Sequence, residues 1–584
     1  MSSSDHQEPP KPGLATAVSS LRGVFLGIGL TSAVVNVLAL TGSFFMLQVY
    51  DRVIPAQSLP TLAGLAIIAA TLFTFQGILE LLRSMLLVRV GLVADERLSA
   101  KVYSAVLQVS SRQRLPGDGL QPVRDLDQVR SFLSSTGPTA LFDLPWMPFY
   151  IGICFLFHFW IGMTALAGAI LLVLLTAVAE IKSRRPARMA TEYAAQRLAL
   201  AAATRQNAEV LTAMGFGDRM TEKWLAVNSK YLRTQVAASD VAGGLSVVSR
   251  ILRMMLQSGI LAVGAILVIQ HEATAGIMIA SSILMSRALA PVELAIGHWK
   301  AFASARQSWQ RLTGLLASMP VPVRKMSLPA PRSSLIVEDV VVFPPASRRV
   351  ALQHVAFRLE KGSVLGIIGP SASGKSSLAR VLTGIWSPAR GSVRLDRASL
   401  DQWHPSELGA YIGYLPQDVG LFDGTIGENI ARFDGSGSSE KILAAAKAAG
   451  IHDMVVQLPD GFETRTGEGG SMLSAGQRQR IALARALYGD PFLVVLDEPN
   501  SNLDTDGDAA LRQAILGVRD RDGIAIIVSH RPSILGVVDQ ILILGDGQIQ
   551  AFGPRDEILR KVTRPDAVQR NAANVAPHRE EVAL

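Results

Sequence analysis

The stretch Gly369–Ser376 constrains the fold of this chain more than any other part of the sequence. It reads G-x-x-x-x-G-K-S, follows an apolar run over Val364–Ile368 and precedes a helix-forming run over Ser376–Leu382. Glycines let a backbone wrap closely around an anion, and the N-terminus of the following helix adds the positive end of its dipole. Strand, loop and helix in this order predict a phosphate-binding loop in an α/β domain. The alternative is a chance glycine-rich turn.

Two further motifs follow the loop. Leu473–Gln477 reads L-S-A-G-Q before a helical run over Arg478–Tyr488, and the apolar run Phe492–Leu496 ends in Asp497 and Glu498. Together with the phosphate loop, they resemble the nucleotide-binding domain of an ATP-binding-cassette (ABC) transporter over roughly the last 40% of the chain. The resemblance implies that the chain binds and hydrolyses ATP.

Length and composition point to a second, membrane-embedded domain. The 584 residues exceed what one hydrophobic core holds, so two or more domains are expected. Apolar residues make up 49% of the chain and mean hydropathy is +0.31, which indicates membrane spans. The formal charge of +8 then favours basic loops at a membrane surface over nucleic-acid binding. The one cysteine, Cys154, excludes an intrachain disulfide and is expected to be a packing residue.

Long apolar segments predict six spanning helices, because a span needs ~20 apolar residues. The expected spans are Val24–Val49, Leu59 to about Leu79, two within Leu141–Val178, Leu245–Gln270 and Gly276–Ile296. The break between the middle two is expected near His158–Gly162, and Tyr50–Ser58 is predicted to be a short polar turn.

The connectors between these spans alternate short and long, and lysine and arginine concentrate in the long ones. By the positive-inside bias, the long connectors of this multi-pass protein face the cytoplasm, and the even number of spans places both chain ends on the same side. We expect the spanning helices to continue into the long connectors. A short cross-helix that touches the ATPase half is expected to close each pair.

The predicted fold class is a membrane α-helical six-span exporter domain followed by an α/β P-loop nucleotide-binding domain. The expected boundaries are a flexible N-terminal lead at 1–20, the transmembrane domain at 21–310, a linker at 311–333, the ABC ATP-binding domain at 334–564 and a flexible tail at 565–584.

Three stretches of the membrane half narrow the family. Met46–Leu62, Leu141–Pro148 and Asn207–Gly215 resemble bacterial type I secretion ABC transporters, particularly the group that exports proteases and repeat-rich, calcium-binding proteins. The alternative is a turn and helix packing shared with other exporters. About 20 residues precede the first span, too few for the N-terminal peptidase domain of some relatives.

The resemblance also implies roles for individual residues, with ATP and Mg²⁺ as ligands. The expected phosphate contacts are Gly369, Pro370, Ser371, Ala372, Ser373, Gly374, Lys375, Ser376 and Ser377. Ser376, Gln417 and Asp497 would hold Mg²⁺, and Glu498 would be the base that polarises the attacking water. His530 matches the family's switch histidine and would contact the γ-phosphate, although a lone histidine after a strand is usually structural.

Other expected contacts involve adenine and a second subunit. In the family, residues matching Ser474, Gly476 and Gln477 bind the γ-phosphate held by the other subunit, so a homodimer is expected. Ser501–Asp504 matches the loop that communicates between the two sites, with Asn502 in place of the usual alanine. Phe343 is expected to stack on adenine; the alternative is a core or edge phenylalanine.

The resemblance implies ATP-driven export of an unfolded polypeptide across the bacterial inner membrane as the ABC component of a type I secretion system. The implied partners are a periplasmic membrane-fusion adaptor, an outer-membrane channel, the exported protein and membrane lipid. A lipid or drug exporter of the same fold is the alternative, and the six spans disfavour a soluble ATPase that serves nucleic acid. Arg287, near mid-membrane with Pro291 one turn later, is hypothesised to line the substrate path. Alternatively, it pairs with a neighbouring helix at a shallower depth.

Overall fold

The computed structural model describes residues 22–112, 119–319, 327–345, 347, 349–435, 437–529 and 531–562. The predicted lead at 1–20 and tail at 565–584 lie outside them. The chain divides into two units, Met1–Val321 and Pro322–Leu584. The described residues of the first unit form helices, and those of the second form strands and helices.

The helices of the first unit are numbered here in chain order. They are α1 (Arg22–Leu38), α2 (Thr41–Gln48), α3 (Ile54–Ala56), α4 (Leu59–Arg112), α5 (Gln121–Leu133), α6 (Gly137–Asp143), α7 (Met147–Phe157), α8 (Phe159–Gln206), α9 (Ala208–Ala213), α10 (Gly217–Ile269) and α11 (Ala275–Ala317). A π-helix at Val49–Val53 and a 3-10 turn at Leu144–Trp146 join neighbouring helices.

Six described segments are long and apolar enough to cross a membrane, in agreement with the prediction. They are Arg22–Ala56, Leu59–Val109, Gly137–Phe157, Phe159–Gln206, Val247–Ile269 and Ala275–Ala317. His158 separates the third from the fourth, within the predicted break. Its backbone is extended (φ −166°, ψ 143°) and its Nδ1 accepts a hydrogen bond from Trp160 N at 3.2 Å, which caps α8.

The predicted turn at Tyr50–Ser58 is mostly helical instead. The π-helix and α3 carry the first span to Ala56, and only Gln57 adopts a left-handed backbone (φ 47°). The physical reason lies far along the chain. The Asp51 carboxylate accepts hydrogen bonds from Thr274 Oγ1 (2.6 Å) and Gly276 N (2.8 Å), so these polar residues cap α11 and do not form a loop.

The long connectors are continuations of the spanning helices. Helices α4, α8 and α10 have 54, 48 and 53 residues, about twice what a bilayer requires. Helix α9 is a short helix in the second connector, whereas residues 113–118 of the first connector lie outside the described residues. Contact of these connectors with the ATPase half stays a prediction. Helix α11 continues through 311–317, the first part of the predicted linker.

Several charged groups inside the membrane unit pair with one another. Arg83 Nη1 donates to both carboxylate oxygens of Asp143 (2.9 and 3.1 Å), and Asn36 Nδ2 donates to the same carboxylate at 2.8 Å. The buried Tyr150 hydroxyl donates to Asn36 O at 2.7 Å. Arg253 pairs with Glu293 at 2.8 Å, which ties α10 to α11. Cys154 is fully buried in the same helical core, as a packing residue should be.

The second unit contains two sheets. Its strands are β1 (Ser334–Val342), β2 (Leu352–Glu360), β3 (Val364–Ile368), β4 (Arg390–Leu395), β5 (Ala398–Ser399), β6 (Ile412–Leu415), β7 (Leu493–Asp497), β8 (Ile524–Val528), β9 (Gln540–Gly545) and β10 (Gln548–Pro554). The six-stranded sheet has the order β10-β9-β3-β8-β7-β6, parallel except for β10, and the antiparallel sheet has the order β2-β1-β4-β5.

Helices cover these sheets. They are α12 (Lys375–Leu382), α13 (Pro405–Tyr411), α14 (Ile426–Ile430), α15 (Ser439–Ala448), α16 (His452–Val456), α17 (Ala475–Leu487), α18 (Thr505–Asp520), α19 (Pro532–Leu535) and α20 (Arg555–Val562). Strands β7 and β8 are buried throughout because helices lie on both faces of a parallel sheet. The carboxyl ends of β3, β6, β7 and β8 meet at one edge, where ligands bind in open α/β sheets.

Candidate functional site

The phosphate loop begins directly after β3, and two of its glycines are required by the backbone. Gly369 has φ 157° and Gly374 has φ 100°. A Cβ atom at Gly369 would lie 2.1 Å from Leu544 O, and one at Gly374 would lie 2.7 Å from Ala351 O. Both distances are far below van der Waals contact, so a larger residue would displace the loop. The motif therefore shapes a narrow backbone cradle, as the sequence predicted.

Lys375, the first residue of α12, places its ammonium group against the backbone of the phosphate loop. Its Nζ donates to Gly369 O at 2.9 Å and to Pro370 O at 2.7 Å. Ser373 is buried, and its Oγ has no hydrogen-bond partner among the described residues. A phosphate would supply a charged acceptor to both the Lys375 ammonium group and the Ser373 hydroxyl.

The other loop residues have two environments. Pro370, Ser371 and Ala372 are exposed at the tip, whereas Ser376 and Ser377 are half-buried in the first turn of α12. The tip is thus open to a ligand, and the hydroxyl groups of the helix lie at its base.

Asp497 ends β7 and is 2% exposed. Burial raises its pKa and the Glu498 carboxylate raises it further, while a hydrogen bond from the Ser376 hydroxyl and the charges of Arg380 and Lys375 oppose the shift. Its Oδ1 has no hydrogen-bond partner among the described residues. A divalent cation would supply the missing partner. The hydroxyl of Ser376, the carboxylate of Asp497 and the amide oxygen of Gln417 are oxygen ligands of the kind that suits Mg²⁺, and their binding of the ion stays a prediction.

Glu498 lies immediately beyond the strand with a left-handed backbone (φ 50°), uncommon for a residue other than glycine. Its N–H donates to Val528 O at 2.9 Å, and its Oε2 accepts from Gln417 Nε2 at 3.0 Å. The fold therefore brings Gln417 and Glu498 together from positions 81 residues apart. The predicted His530 lies outside the described residues; β8 leads to it through Val528 and Ser529.

Ser474 caps α17 in a reciprocal arrangement with Gln477. Its Oγ accepts from Gln477 N at 3.2 Å, and Gln477 Oε1 accepts from Ser474 N at 2.9 Å. The hydroxyl proton of Ser474 thus remains available to an acceptor outside the helix. Among the described residues, no hydrogen bond joins the stretch Ser474–Gln477 to the phosphate loop. One chain therefore carries both elements without a hydrogen bond between them among the described residues.

Sequence reasoning missed Gln479, which ties α17 to the loop after Glu498. Gln479 is 2% exposed; its Nε2 donates to the carbonyl oxygens of Pro499 and, at 3.3 Å, Glu498. Its Oε1 accepts from Asn502 N at 3.0 Å. A glutamine on a helix face otherwise formed by buried Ala482, Leu483 and Ala486 was the available signal.

In the loop after Glu498, Asn502 makes its hydrogen bonds with the described residues through the backbone and not through its side chain. The Asn502 side chain is exposed, which explains why this position accepts a residue other than alanine. Its carbonyl oxygen lies only 3.0 Å from where a Cβ of Gly476 would be. Asp504 pairs with Arg480 at 3.2 Å and accepts from Gly507 N at 2.8 Å, capping α18. The loop is therefore held at both ends.

Phe343 follows the last residue of β1 and is 44% exposed, so it is not a core residue. Val342 O accepts from Ala351 N at 2.8 Å, and Ala351 O is the atom that crowds Gly374. Phe343 therefore follows Val342, whose carbonyl group is bonded to Ala351, and Ala351 in turn lies against Gly374 of the phosphate loop. Stacking on adenine stays a prediction.

Comparisons with known proteins cover both halves of the chain. Residues 25–292 match the family described as "ABC transporter transmembrane region", and residues 352–501 match the family described as "ABC transporter". A protein of Rhizobium meliloti (strain 1021) named "Type I secretion system ATP-binding protein PrsD" is 52% identical over 568 residues, which is 97% of this chain and 98% of that protein.

More distant relatives share the same kind of name. The "Cyclolysin secretion/processing ATP-binding protein CyaB" of Bordetella pertussis (strain Tohama I) is 28% identical over 91% of this chain and 75% of its own length. The "Leukotoxin translocation ATP-binding protein LktB" of Mannheimia glucosida is 28% identical over 93% of this chain and 77% of its own length.

A solved structure agrees on the fold. The structure of a bacterial Atm1-family ABC exporter with ATP bound superposes with a TM-score of 0.81, covering 96% of this chain and 100% of that one at 23% identity. The six-span helical unit and the α/β unit therefore form the fold of an ABC exporter.

Proposed function

This chain belongs to the ABC transporters of type I protein secretion, and from that premise we propose that it exports an unfolded polypeptide across the bacterial inner membrane by hydrolysing ATP. The observation that carries the proposal is the 52% identity to a type I secretion ATP-binding protein over 97% of the chain. Because that match includes both the spans and the ATPase motifs, it concerns the whole exporter.

Binding of ATP would begin with an exchange of acceptors at Lys375. In this structure its ammonium group is bonded to the carbonyl oxygens of Gly369 and Pro370. Phosphate oxygens are charged and therefore stronger acceptors than carbonyl groups. The loop amides and the N-terminus of α12 would surround the same phosphates, with Phe343 against the adenine.

Ser376, Gln417 and Asp497 would hold Mg²⁺. The bound ion supplies neutralisation of phosphate charge. For Asp497 the gain is specific: burial disfavours its ionised form, and a cation beside the carboxylate reverses that preference.

Glu498 would polarise the attacking water. One of its carboxylate oxygens accepts from Gln417, which leaves the other for the water. Gln417 thereby connects the base to the segment that follows β6. His530 would contact the γ-phosphate and hold the water and Glu498 in place.

The active form would be a homodimer. Ser474, Gly476 and Gln477 make no hydrogen bond to the phosphate loop of their own chain among the described residues, yet the helix dipole and the free Ser474 proton suit a phosphate. Two chains related by a twofold axis would place each such stretch against the other's bound ATP. Gln479 would then couple that contact to the backbone that carries Glu498.

The chain is a multi-pass membrane protein with six candidate spans. We place both termini in the cytoplasm, since the ATPase half must lie where ATP is. The proposed partners are a periplasmic membrane-fusion adaptor, an outer-membrane channel and the exported protein, and no nucleic-acid partner is expected. Mg²⁺ and ATP are the proposed ligands.

A secretion assay tests this function. The chain is co-expressed with candidate adaptor and outer-membrane partners and with a protein that bears an uncleaved C-terminal secretion signal. Glu498→Gln should abolish secretion and reduce ATP hydrolysis at least about a hundredfold, because the base is lost while nucleotide still binds. Glu440→Gln makes the same change at an exposed site on α15 and should leave both unchanged.

Two outcomes would contradict the proposal. Hydrolysis at the wild-type rate in Glu498→Gln would remove this residue as the base. Absence of secretion by a wild-type protein whose ATPase responds to lipids or small amphiphiles would assign the chain to lipid or drug export.

A further inference from the structure

Helix α11 differs from the other long spans in what it exposes. Helix α4 exposes large apolar side chains such as Ile67, Phe73 and Leu81, and α8 exposes Ile170 and Leu174. Such residues suit contact with lipid. Within α11, all of which is described, no large apolar residue is exposed. The uncovered part of α11 is therefore not built to face hydrocarbon.

The uncovered part of this span forms one narrow strip. Between Gly276 and Gly297, the exposed positions are Arg287, Ala290 and Gly297, and their spacing places them on one side of the helix. The two other members of the strip, Ala290 and Gly297, are small, and Arg287 itself is exposed. A strip of small residues with one cation suits water or a polypeptide better than lipid.

The depth of Arg287 makes its environment decisive. It lies 12 residues after Ala275, the first residue of α11, and thus roughly 18 Å along the helix axis. That is about halfway through a hydrocarbon core of ~30 Å. An arginine at this depth is costly unless it faces a water-filled cavity or an anionic partner.

The acidic groups near Arg287 are already engaged. Asp143 ends α6, a helix that packs against α11. Asp143, however, accepts from Arg83 and Asn36, and Glu293 on α11 itself pairs with Arg253. Arg287 makes no ion pair with any residue that the structure describes. Its positive charge is therefore uncompensated within one protomer.

We propose that Arg287 is a binding site for carboxylates of the exported polypeptide as it passes the middle of the membrane. This rests on the proposed export function. A guanidinium group binds a carboxylate through two parallel hydrogen bonds, which few other side chains match. The carboxylate can belong to an aspartate or glutamate side chain or to the C-terminus of the cargo. The strip of α11 around Arg287 is the wall along which the chain moves.

Site-specific cross-linking on the full-length protein in lipid nanodiscs tests this site. Ala290→Cys, one turn from Arg287, is labelled with a thiol-reactive benzophenone. Cys154 is fully buried, and the protein that has only Cys154 measures the background of labelling and cross-linking. The probes are two 20-residue synthetic peptides with aspartate or asparagine at every third position, each made with a free and an amidated C-terminus.

We expect the aspartate peptide to cross-link about tenfold more than the asparagine peptide, equivalent to one good charge-assisted contact. Arg287→Gln should abolish this preference while keeping the asparagine yield, which shows that the path is intact. Arg287→Lys should keep much of the preference. Arg253→Gln removes an arginine that is already paired and should keep it fully. A fall in the yield of both peptides on amidation would assign the C-terminal carboxylate, and an aspartate preference within the amidated pair would assign the side chains.

Equal cross-linking of both peptides in the Arg287 protein, unchanged by amidation, would overturn the carboxylate site and leave polypeptide export standing. An unchanged aspartate preference in Arg287→Gln would overturn it as well. If neither peptide cross-links to labelled protein that hydrolyses ATP, α11 does not line a polypeptide path. The secretion assay then decides the export function independently.

Discussion

Arg83 in the membrane half and Asp497 in the ATPase half are both charged and largely buried, yet their surroundings are opposite. Arg83 has its counter-charge at 2.9 Å in Asp143, and Asn36 bonds to the same carboxylate. Asp497 is 2% exposed, lies beside a like charge in Glu498 and keeps an oxygen without a partner among the described residues.

The difference follows from the solvent of each half. Hydrocarbon offers no hydrogen bonds, so a polar group in a span must be satisfied by the chain itself. An ATP site is open to water and to its ligand, and a binding site works because some groups are left incomplete until the ligand arrives. Arg287 is a span residue that departs from this contrast, and for that reason we interpret it as a site.

Asp143→Asn should give the largest loss of stability, because it leaves the Arg83 guanidinium buried without its counter-charge. Breaking a buried pair in this way costs about 3 kcal/mol. The thermal unfolding midpoint of the purified protein, followed by intrinsic fluorescence, should fall by several degrees. The double variant Arg83→Met with Asp143→Leu should recover most of the loss, since no unpaired charge remains.

Asp127→Asn is the matched control for Asp143→Asn. Asp127 pairs with Arg130 on the surface of α5, where both side chains are about half exposed, so the change should be small. Equal effects of the two substitutions would contradict the distinction between enclosed and exposed pairs.

Gln479→Ala should act on the ATPase half with a smaller loss. It leaves the half-buried Asn502 N–H and the buried Pro499 carbonyl group without their amide partner, which costs about 2 kcal/mol. Hydrolysis should fall more than nucleotide binding, because the affected backbone carries Glu498. Gln513→Ala on the exposed face of α18 is the control. A fall in binding with hydrolysis per bound ATP unchanged would contradict this role.

Asp497→Asn should increase the stability of the protein, unlike Asp143→Asn and Gln479→Ala. Replacing a buried carboxylate that lies beside another carboxylate removes a desolvation cost, so the ligand-free protein should gain about 1 kcal/mol at neutral pH. Magnesium-dependent hydrolysis should fall sharply in the same variant. A lower unfolding midpoint without ligand would show that Asp497 is satisfied by the chain, as Arg83 is, and would remove the contrast.

The pH dependence of Asp497 has a definite direction. Burial raises its pKa in the folded state above the ordinary value of 3.8, so the folded protein binds the proton more tightly than the unfolded chain. The stability contributed by this group is therefore fully present below the ordinary carboxyl pKa and is lost as pH rises through the raised value. The advantage of Asp497→Asn in the unfolding midpoint should shrink as pH falls across that window.

Asp51→Ala should give the smallest effect. It removes the carboxylate that caps the N-terminus of α11 through Thr274 and Gly276, a loss of about 1 kcal/mol. A small decrease in the unfolding midpoint with hydrolysis intact is expected. Asp240→Ala, at an exposed position of α10, provides the comparison and should change neither quantity.

Local features of this protein could be predicted from its sequence. The glycines of the phosphate loop, the strand that precedes it and the break at His158 depend on neighbouring residues alone, since backbone conformation and apolar length are local properties. The six spans follow from hydropathy because a bilayer imposes one length on every helix. The cap formed by Ser474 and Gln477 is likewise local.

Contacts between distant positions were decided by the tertiary structure alone. Gln417 and Glu498 are 81 residues apart, and Asp51 and Thr274 are 223 apart. No local rule states that Gln479 holds the loop after the base, or that Tyr50–Ser58 is mostly helical because Asp51 caps a distant helix. Sequence alone determined which groups this chain carries and their local backbone settings. Packing decided which of them were satisfied and which were left for a ligand, because that depends on what the fold places opposite each one.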